Sequence, residues 1–231
     1  VTGGAGKDDL TAGAKGDTLS GGDNDDSLTG GAGDDTLDGG AGKDTITMNA
    51  GKDTVTGGDG NDTIIAGGNL TKDDSIDGGA GEDTLRVTSV DADGLAGVQN
   101  VENLQISGGA SVSLSKDLSF TTIDLTNGAT TEAITLAAGY TAATTFKIDS
   151  GDDITNTGAD AVITIEANAD DLEAADDTLI TGSDKAGVIN TLTLLNATAA
   201  TVDLVGTSTN IDKLIIADYA VTSGNDVGIT M

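Results

Sequence analysis

The chain has 231 residues, 39 acidic against 10 basic for a net charge of −29, and no cysteine, histidine, proline or tryptophan. That charge excludes an electrostatic nucleic-acid binder, which needs a basic face, and disfavours docking on anionic lipid. Without cysteine or histidine there are no disulfides, zinc loses its usual ligands, and a Ser-His-Asp triad is impossible.

Leu, Ile, Val and Phe number 51, about 22% of the chain, which is near the disorder border for so charged a sequence. Their regular placement argues instead for conditional folding. Small residues dominate, and the aromatics are Phe120, Tyr140, Phe146 and Tyr219. No run reaches membrane-spanning length, so membrane insertion is not expected, and no signal peptide is visible. The opening Val1-Thr2 reads as the tail of an earlier repeat, so the chain is expected to be a fragment of something longer.

From the N-terminus, nine aspartates recur in glycine-rich turns: Asp8, Asp17, Asp26, Asp35, Asp44, Asp53, Asp62, Asp74 and Asp83. The spacing is nine residues, except for twelve between Asp62 and Asp74, where the segment from Ala66 carries three extra residues. An aliphatic residue follows each aspartate by two: Leu10, Leu19, Leu28, Leu37, Ile46, Val55, Ile64, Ile76 and Leu85. A shared strict period marks a solenoid whose coils cannot fold alone. In each unit, for example GGAGDDTLD from Gly30, the first six positions read as turn and the last three as a very short strand with one inward side chain.

Two units make a coil of eighteen residues, so each turn stacks on the turn two units later. One edge then stacks Asp8, Asp26, Asp44, Asp62 and Asp83, and the other Asp17, Asp35, Asp53 and Asp74. A carboxylate beside backbone carbonyls in every turn is an oxygen-only site for a hard cation, so Ca²⁺ is the expected cofactor. Residues 1–86 hold 18 acids and 6 bases, a net −12 that about seven Ca²⁺ would roughly neutralise. The segment should therefore fold with metal and not without it. Aspartate also caps turns for purely local reasons, but nine in register exceed that need. No segment fits an EF-hand loop.

The pattern GGxGxDxUx over residues 1–86 resembles the RTX (repeats-in-toxin) family. The resemblance implies an all-β, right-handed parallel β-roll, type I secretion, and folding outside the cell in calcium. It also implies that each ion takes positions two, four and six of one turn and one, three and six of the turn a coil later. On the first edge, Gly4, Gly6 and Asp8 would face Gly21, Asp23 and Asp26, and Gly22, Asn24 and Asp26 would face Gly39, Ala41 and Asp44. Gly40, Gly42 and Asp44 would face Gly57, Asp59 and Asp62, and Gly58, Gly60 and Asp62 would face Gly78, Ala80 and Asp83. On the second edge, Asp17 would face Gly30, Ala32 and Asp35, and Gly31, Gly33 and Asp35 would face Met48, Ala50 and Asp53. Three departures are expected to weaken sites. Lys15 stands at a glycine position near Asp17, Met48-Asn49 replaces Gly-Gly, and Leu70-Thr71-Lys72 either spoils the Asp53–Asp74 gap or bulges out of it. About five to seven ions are expected in the roll.

Residues 87–231 change texture, with less glycine and short aliphatic strands at irregular spacing. Strands are expected at 101–106, 112–114, 122–125, 133–136, 145–148, 161–166, 178–181, 191–194, 200–205 and 213–217, and a short helix at 167–177. The segments from Asn100 (NVENLQI) and Asn210 (NIDKLII) look alike. The region reads as a less regular parallel β-solenoid, with a β-sandwich as alternative. Asp152-Asp153, Asp170-Asp171 and Asp176-Asp177, with Asp184 and Asp226, read as solvated loops or as further calcium sites. Glu102 reads as structural. Paired carboxylates also hydrolyse glycosides, but four scattered aromatics make no sugar platform, so no enzyme is expected.

The repeat block running into Asn100-Val101-Glu102-Asn103-Leu104, then into a Thr/Ala-rich β tail, resembles RTX-type surface-layer (S-layer) proteins of Gram-negative bacteria. That resemblance implies a secreted cell-surface protein with 87–231 as an assembly domain. It implies calcium-bridged self-association into a lattice, and anchoring to a surface glycan or other partner through regions outside this sequence. An RTX adhesin or extender module, and the secretion tail of an exported hydrolase, are the alternatives.

Overall fold

The computed structural model describes residues 1–90, 93–109, 111–114, 118–126, 132–137, 140, 142–148, 152–156, 163–168, 180–181, 191–195, 201–203, 208–209, 213–216 and 228–230. The described strands pair in parallel and stack as a β-solenoid, with no α-helix among the described residues and one 3₁₀ turn at Gly94–Gly97. Parallel pairing between successive coils rules out the β-sandwich alternative. The chain divides into two compact units, residues 1–106 with 118–120, and 107–117 with 121–231.

In the first unit, one sheet stacks Thr2–Gly4, Thr18–Asp23, Thr36–Ala41, Thr54–Asp59, Ser75–Ala80 and Val98–Gln99. The facing sheet stacks Asp9–Thr11, Ser27–Thr29, Thr45–Thr47, Thr63–Gly67, Thr84–Val87 and Asn103–Ile106. Register advances by eighteen, as in Leu19↔Leu37 and Leu28↔Ile46, and by twenty-one where the three extra residues fall, as in Val55↔Ile76. The aliphatic two places after each aspartate points inward. Leu19, Leu28, Leu37, Ile46, Val55, Ile64, Ile76 and Leu85 are at most 1% exposed. Threonines flank them on the outer faces, where β-branched side chains suit an extended backbone.

The six-turn, three-strand division of each unit holds on one side only. On the other, the strand runs six residues and takes in the first three turn positions, as in Thr18–Asp23. Gly22 pairs in register with Gly4 on one side and Gly40 on the other, so the neighbouring coils override the turn preference of the glycine pair. Glycine is still required there. Gly58 sits at φ 115°, and a Cβ on it would strike the carbonyl oxygen of Gly40. Coils can stack this closely only with bare backbone.

In the second unit, Ser111–Leu114, Ala133–Leu136, Asp153–Asn156, Ile180–Thr181 and Ser208–Thr209 form one parallel run. Thr122–Asp124, Thr144–Lys147, Ile163–Asn168, Thr191–Leu195 and Lys213–Ile216 form another. Thr201–Asp203 pairs with Gly228–Thr230. Each expected strand has an observed counterpart, displaced by at most two residues at either end, and Val98–Gln99, Asp153–Asn156, Ser208–Thr209 and Gly228–Thr230 are strands that were not expected. Of the expected helix, Ala167 and Asn168 are strand and the remainder lies outside the described residues. Larger side chains fill this core: Phe146 and Tyr140 are fully buried, and Tyr140 Oη and Thr144 Oγ1 lie 2.6 Å apart in a hydrogen bond.

Candidate metal centre

The stacking brings the repeat aspartates into two ladders. On the first edge, the N–H of Asp8 donates to Asp26 Oδ1 (2.8 Å), Asp26 to Asp44 (2.7 Å), Asp44 to Asp62 (2.8 Å) and Asp62 to Asp83 (2.8 Å). On the second, Asp17 donates to Asp35 (2.8 Å), Asp35 to Asp53 (2.9 Å) and Asp53 to Asp74 (2.7 Å). One oxygen of each upper carboxylate thus holds the coil below. The side chains of Asp26, Asp35, Asp44, Asp53, Asp62, Asp74 and Asp83 belong to residues at most 4% exposed.

The other oxygen decides the chemistry. Oδ2 of Asp8, Asp26, Asp35, Asp44, Asp53, Asp62 and Asp83 is buried and receives no hydrogen bond. Its neighbours are acceptors. The space beside Gly39 is flanked by Asp44 Oδ2 and the carbonyl oxygen of Gly57, and that beside Gly30 by Asp35 Oδ2 and the Met48 carbonyl, each 2.8 Å from a Cβ built on Gly30. The carbonyls of Gly22 and Gly40 point at the next coil's Gly40 and Gly58, and those of Asn24 and Gly42 at Gly42 and Gly60. Third-position carbonyls are engaged once each: Gly42 N–H donates to Asp59 (2.8 Å), Gly60 to Ala80 (2.8 Å) and Gly33 to Ala50 (2.9 Å). A carbonyl's second lone pair stays available.

Buried oxygens that face oxygens, with no donor between them, repel unless a cation or a proton intervenes. Burial accordingly pushes the Asp53 and Asp62 carboxyls up to about 6, against the single hydrogen bond each accepts, and like charge from neighbouring rungs adds to the rise. Asp44 is raised for the same leading reason. No base neutralises the ladders: the ion pairs among the described residues are Lys7–Asp25 and Lys72–Asp73, both on the surface. Among the described residues no three acidic side chains converge on one point, so a cation here would draw most of its ligands from the backbone. Carboxylate plus carbonyl oxygen, without nitrogen or sulfur, is the donor set of calcium. The residues present fit that ion.

The three departures resolve differently. Met48-Asn49 keeps the turn intact, because Asn49 adopts φ 63° and Met48 is buried in the core. Asparagine tolerates the left-handed region, so the expected loss of permissiveness does not follow. The Leu70-Thr71-Lys72 insertion tucks Leu70 into the core and exposes Lys72, and it leaves the Asp53–Asp74 rung in place, while Thr71 N–H (2.8 Å) and Oγ1 (3.0 Å) both reach Asp74 Oδ2. Near Lys15, Asp17 Oδ2 accepts the Gly13 N–H at 2.9 Å.

Three further acids join ladders beyond the repeats. Asp83 N–H donates to Glu102 Oε2 (2.8 Å), Gly109 N–H to Glu132 Oε1 (2.9 Å) and Glu132 N–H to Asp152 Oδ1 (3.1 Å). Glu132 and Asp152 are 1% and 0% exposed. Glu132 was not expected. Its signal is an acid two places before an inward aliphatic, as in Glu102–Leu104, Glu132–Ile134 and Asp152–Ile154, the same offset as Asp83–Leu85. Asp170, Asp171, Asp176, Asp177, Asp184 and Asp226 lie outside the described residues.

The family model of the RTX calcium-binding nonapeptide repeat (4 copies) matches residues 11–46, 38–69 and 70–87. No curated protein matches the chain. No helix among the described residues is long and apolar enough to cross a membrane. Residues 11–87 thus carry the RTX calcium-binding nonapeptide repeat, and proteins with RTX repeats are typically secreted.

Proposed function

We propose that this chain is a calcium-dependent structural protein of the bacterial cell surface, which folds on Ca²⁺ after type I secretion and assembles into an S-layer lattice. The observation that carries the calcium step is the row of buried Oδ2 atoms with no donor. Six gaps within the repeats combine such an atom with an upper carboxylate: Asp8–Asp26, Asp26–Asp44, Asp44–Asp62, Asp62–Asp83, Asp35–Asp53 and Asp53–Asp74. One Ca²⁺ in each would replace repulsion between coils by a bridge, so binding free energy becomes folding free energy. Metal-free, the net −29 chain repels itself and its copies. A divalent cation removes both obstacles, which supports assembly as the sequel to folding. The likeness of the join at Asn100–Leu104 to surface-layer proteins supports a lattice as its form.

A calcium titration followed by circular dichroism and light scattering, with magnesium as control, tests this. Coil turning to β-structure in calcium alone, followed by growth of large ordered particles, is expected. Folding without growth would leave a calcium-stiffened monomer and overturn the lattice. A fully folded chain in chelator would overturn the whole reading.

A further inference from the structure

We propose that the Asn100-Val101-Glu102 turn completes one more calcium site, above Asp83 and outside the nonapeptide repeats. This rests on the calcium reading of the ladders and extends it. The pairs Thr84↔Asn103 and Leu85↔Leu104 put Glu102 opposite Asp83, and Val98↔Ile76 and Gln99↔Asp77 put Asn100 opposite Gly78. A three-residue turn therefore faces the six-residue turn from Gly78 to Asp83. The hydrogen bond from Asp83 N–H to Glu102 Oε2 (2.8 Å) repeats the one from Asp62 N–H to Asp83 Oδ1 (2.8 Å). The additional methylene of glutamate lets the side chain reach the ladder from a shortened turn.

The gap has the features of those below it. Asp83 is 0% exposed, and its Oδ2 receives no hydrogen bond. A Cβ built on Gly78 would strike the carbonyl oxygen of Asn100 and lie 2.8 Å from Asp83 Oδ2, so these two oxygens flank one point. Gly78 O and Asp62 Oδ2 flank Gly57 in the same way one coil below. The Asn100 carbonyl is held in place. Its residue takes φ 50°, its Nδ2 donates to Asp77 Oδ1 (2.8 Å), and Gln99 Nε2 donates to Asp77 Oδ2 (3.0 Å). Burial first, then the charges of Glu102, Glu82 and Asp77, raise the Asp83 carboxyl against its hydrogen bond from Asp62.

The protein donors are Asp83 Oδ2, Asn100 O and the Glu102 carboxylate, with Gly79 O and Gly81 O by repeat position. No third-position carbonyl exists in the short turn. That leaves about five protein oxygens where calcium takes 6–8, so water completes the shell and the site binds last.

The whole chain and its Glu102→Gln variant would be compared by native mass spectrometry in millimolar calcium. The amide can still accept the Asp83 N–H, so the roll should fold, and the variant should carry one ion fewer. Equal ion numbers in two folded proteins would overturn the proposal and leave the ladder reading standing. A wild-type chain carrying no calcium would overturn both. Terbium-soaked crystals of the wild-type chain decide the matter if the variant does not fold. An anomalous peak between Asp83 and Glu102 is expected, and peaks along the repeats with none there would overturn the proposal.

Discussion

The first edge of the roll leaves Oδ2 of Asp8, Asp26, Asp44, Asp62 and Asp83 all without a donor, whereas the second leaves only those of Asp35 and Asp53. At the ends of the second edge the backbone supplies donors, Gly13 N–H to Asp17 and Thr71 N–H to Asp74. The repeat letter is the same on both edges, so membership of the repeat does not by itself make a carboxylate available to metal. What the local turn presents to the second oxygen does. Given an N–H, that oxygen is satisfied; given carbonyls, it calls for a cation. The first edge also continues past the repeats through Glu102, while the second is closed by its own insertion.

Removing a rung from each edge should separate them most widely. Asp44→Ala strips a carboxylate shared by two gaps and leaves the buried Asp26 N–H without an acceptor. Thermal unfolding in saturating calcium should show a loss of roughly 3 kcal/mol or more, with two ions missing by mass. Asp17→Ala removes a part-exposed group whose Oδ2 already has its donor. It should cost about 1 kcal/mol or less and leave the ion count unchanged. Equal losses from the two variants would erase the distinction between the edges.

Acid should act on both edges alike. Asp53 and Asp62, one on each, sit at about 6 when folded without metal, above the ordinary 3.8. A raised folded value means protonation favours folding. That stability is fully present below about 4 and is lost as pH rises through about 6. In chelator, the chain should gain β-structure on acidification from pH 7 to pH 4, seen by circular dichroism. In calcium the sign reverses for binding. Protons displace the ion, and affinity should weaken by about tenfold per pH unit below 6 at each such site, as isothermal titration would record. Affinity unchanged between pH 7 and pH 5 would contradict carboxylate ligation.

Smaller effects sharpen the second edge. Asn49→Ala forces a residue without a local hydrogen-bonding side chain into φ 63° and should cost about 1 kcal/mol in calcium. Thr71→Val removes the hydroxyl donor to Asp74 but keeps the N–H, and should cost about 0.5–1 kcal/mol with no ion gained or lost.

The two ladders were legible because carboxylate, glycine and aliphatic share one period, and period fixes stacking. Strand positions in the second unit were legible from aliphatic alternation, to the residue at Ala133–Leu136. The six-residue strands were not, since Gly21-Gly22 reads as a turn until a neighbouring coil offers hydrogen bonds. Nor was the closure of Asp17 and Asp74, which depends on where single N–H groups point. Glu102 and Glu132 were hidden by irregular coil length. Their offset to Leu104 and Ile134 is the repeat's own offset, but without the period nothing in the letters marks it.

On the proposed reading, each buried carboxylate oxygen without a donor marks a calcium position. An anomalous-scattering map of the calcium-bound crystal tests it most directly. Peaks are expected in the six repeat gaps from Asp8–Asp26 to Asp62–Asp83 and from Asp35–Asp53 to Asp53–Asp74, and in the Asp83–Glu102 gap, with none between Asp17 and Asp35. A peak at Asp17–Asp35 as strong as the rest, or empty gaps beside the donor-free oxygens, would contradict it.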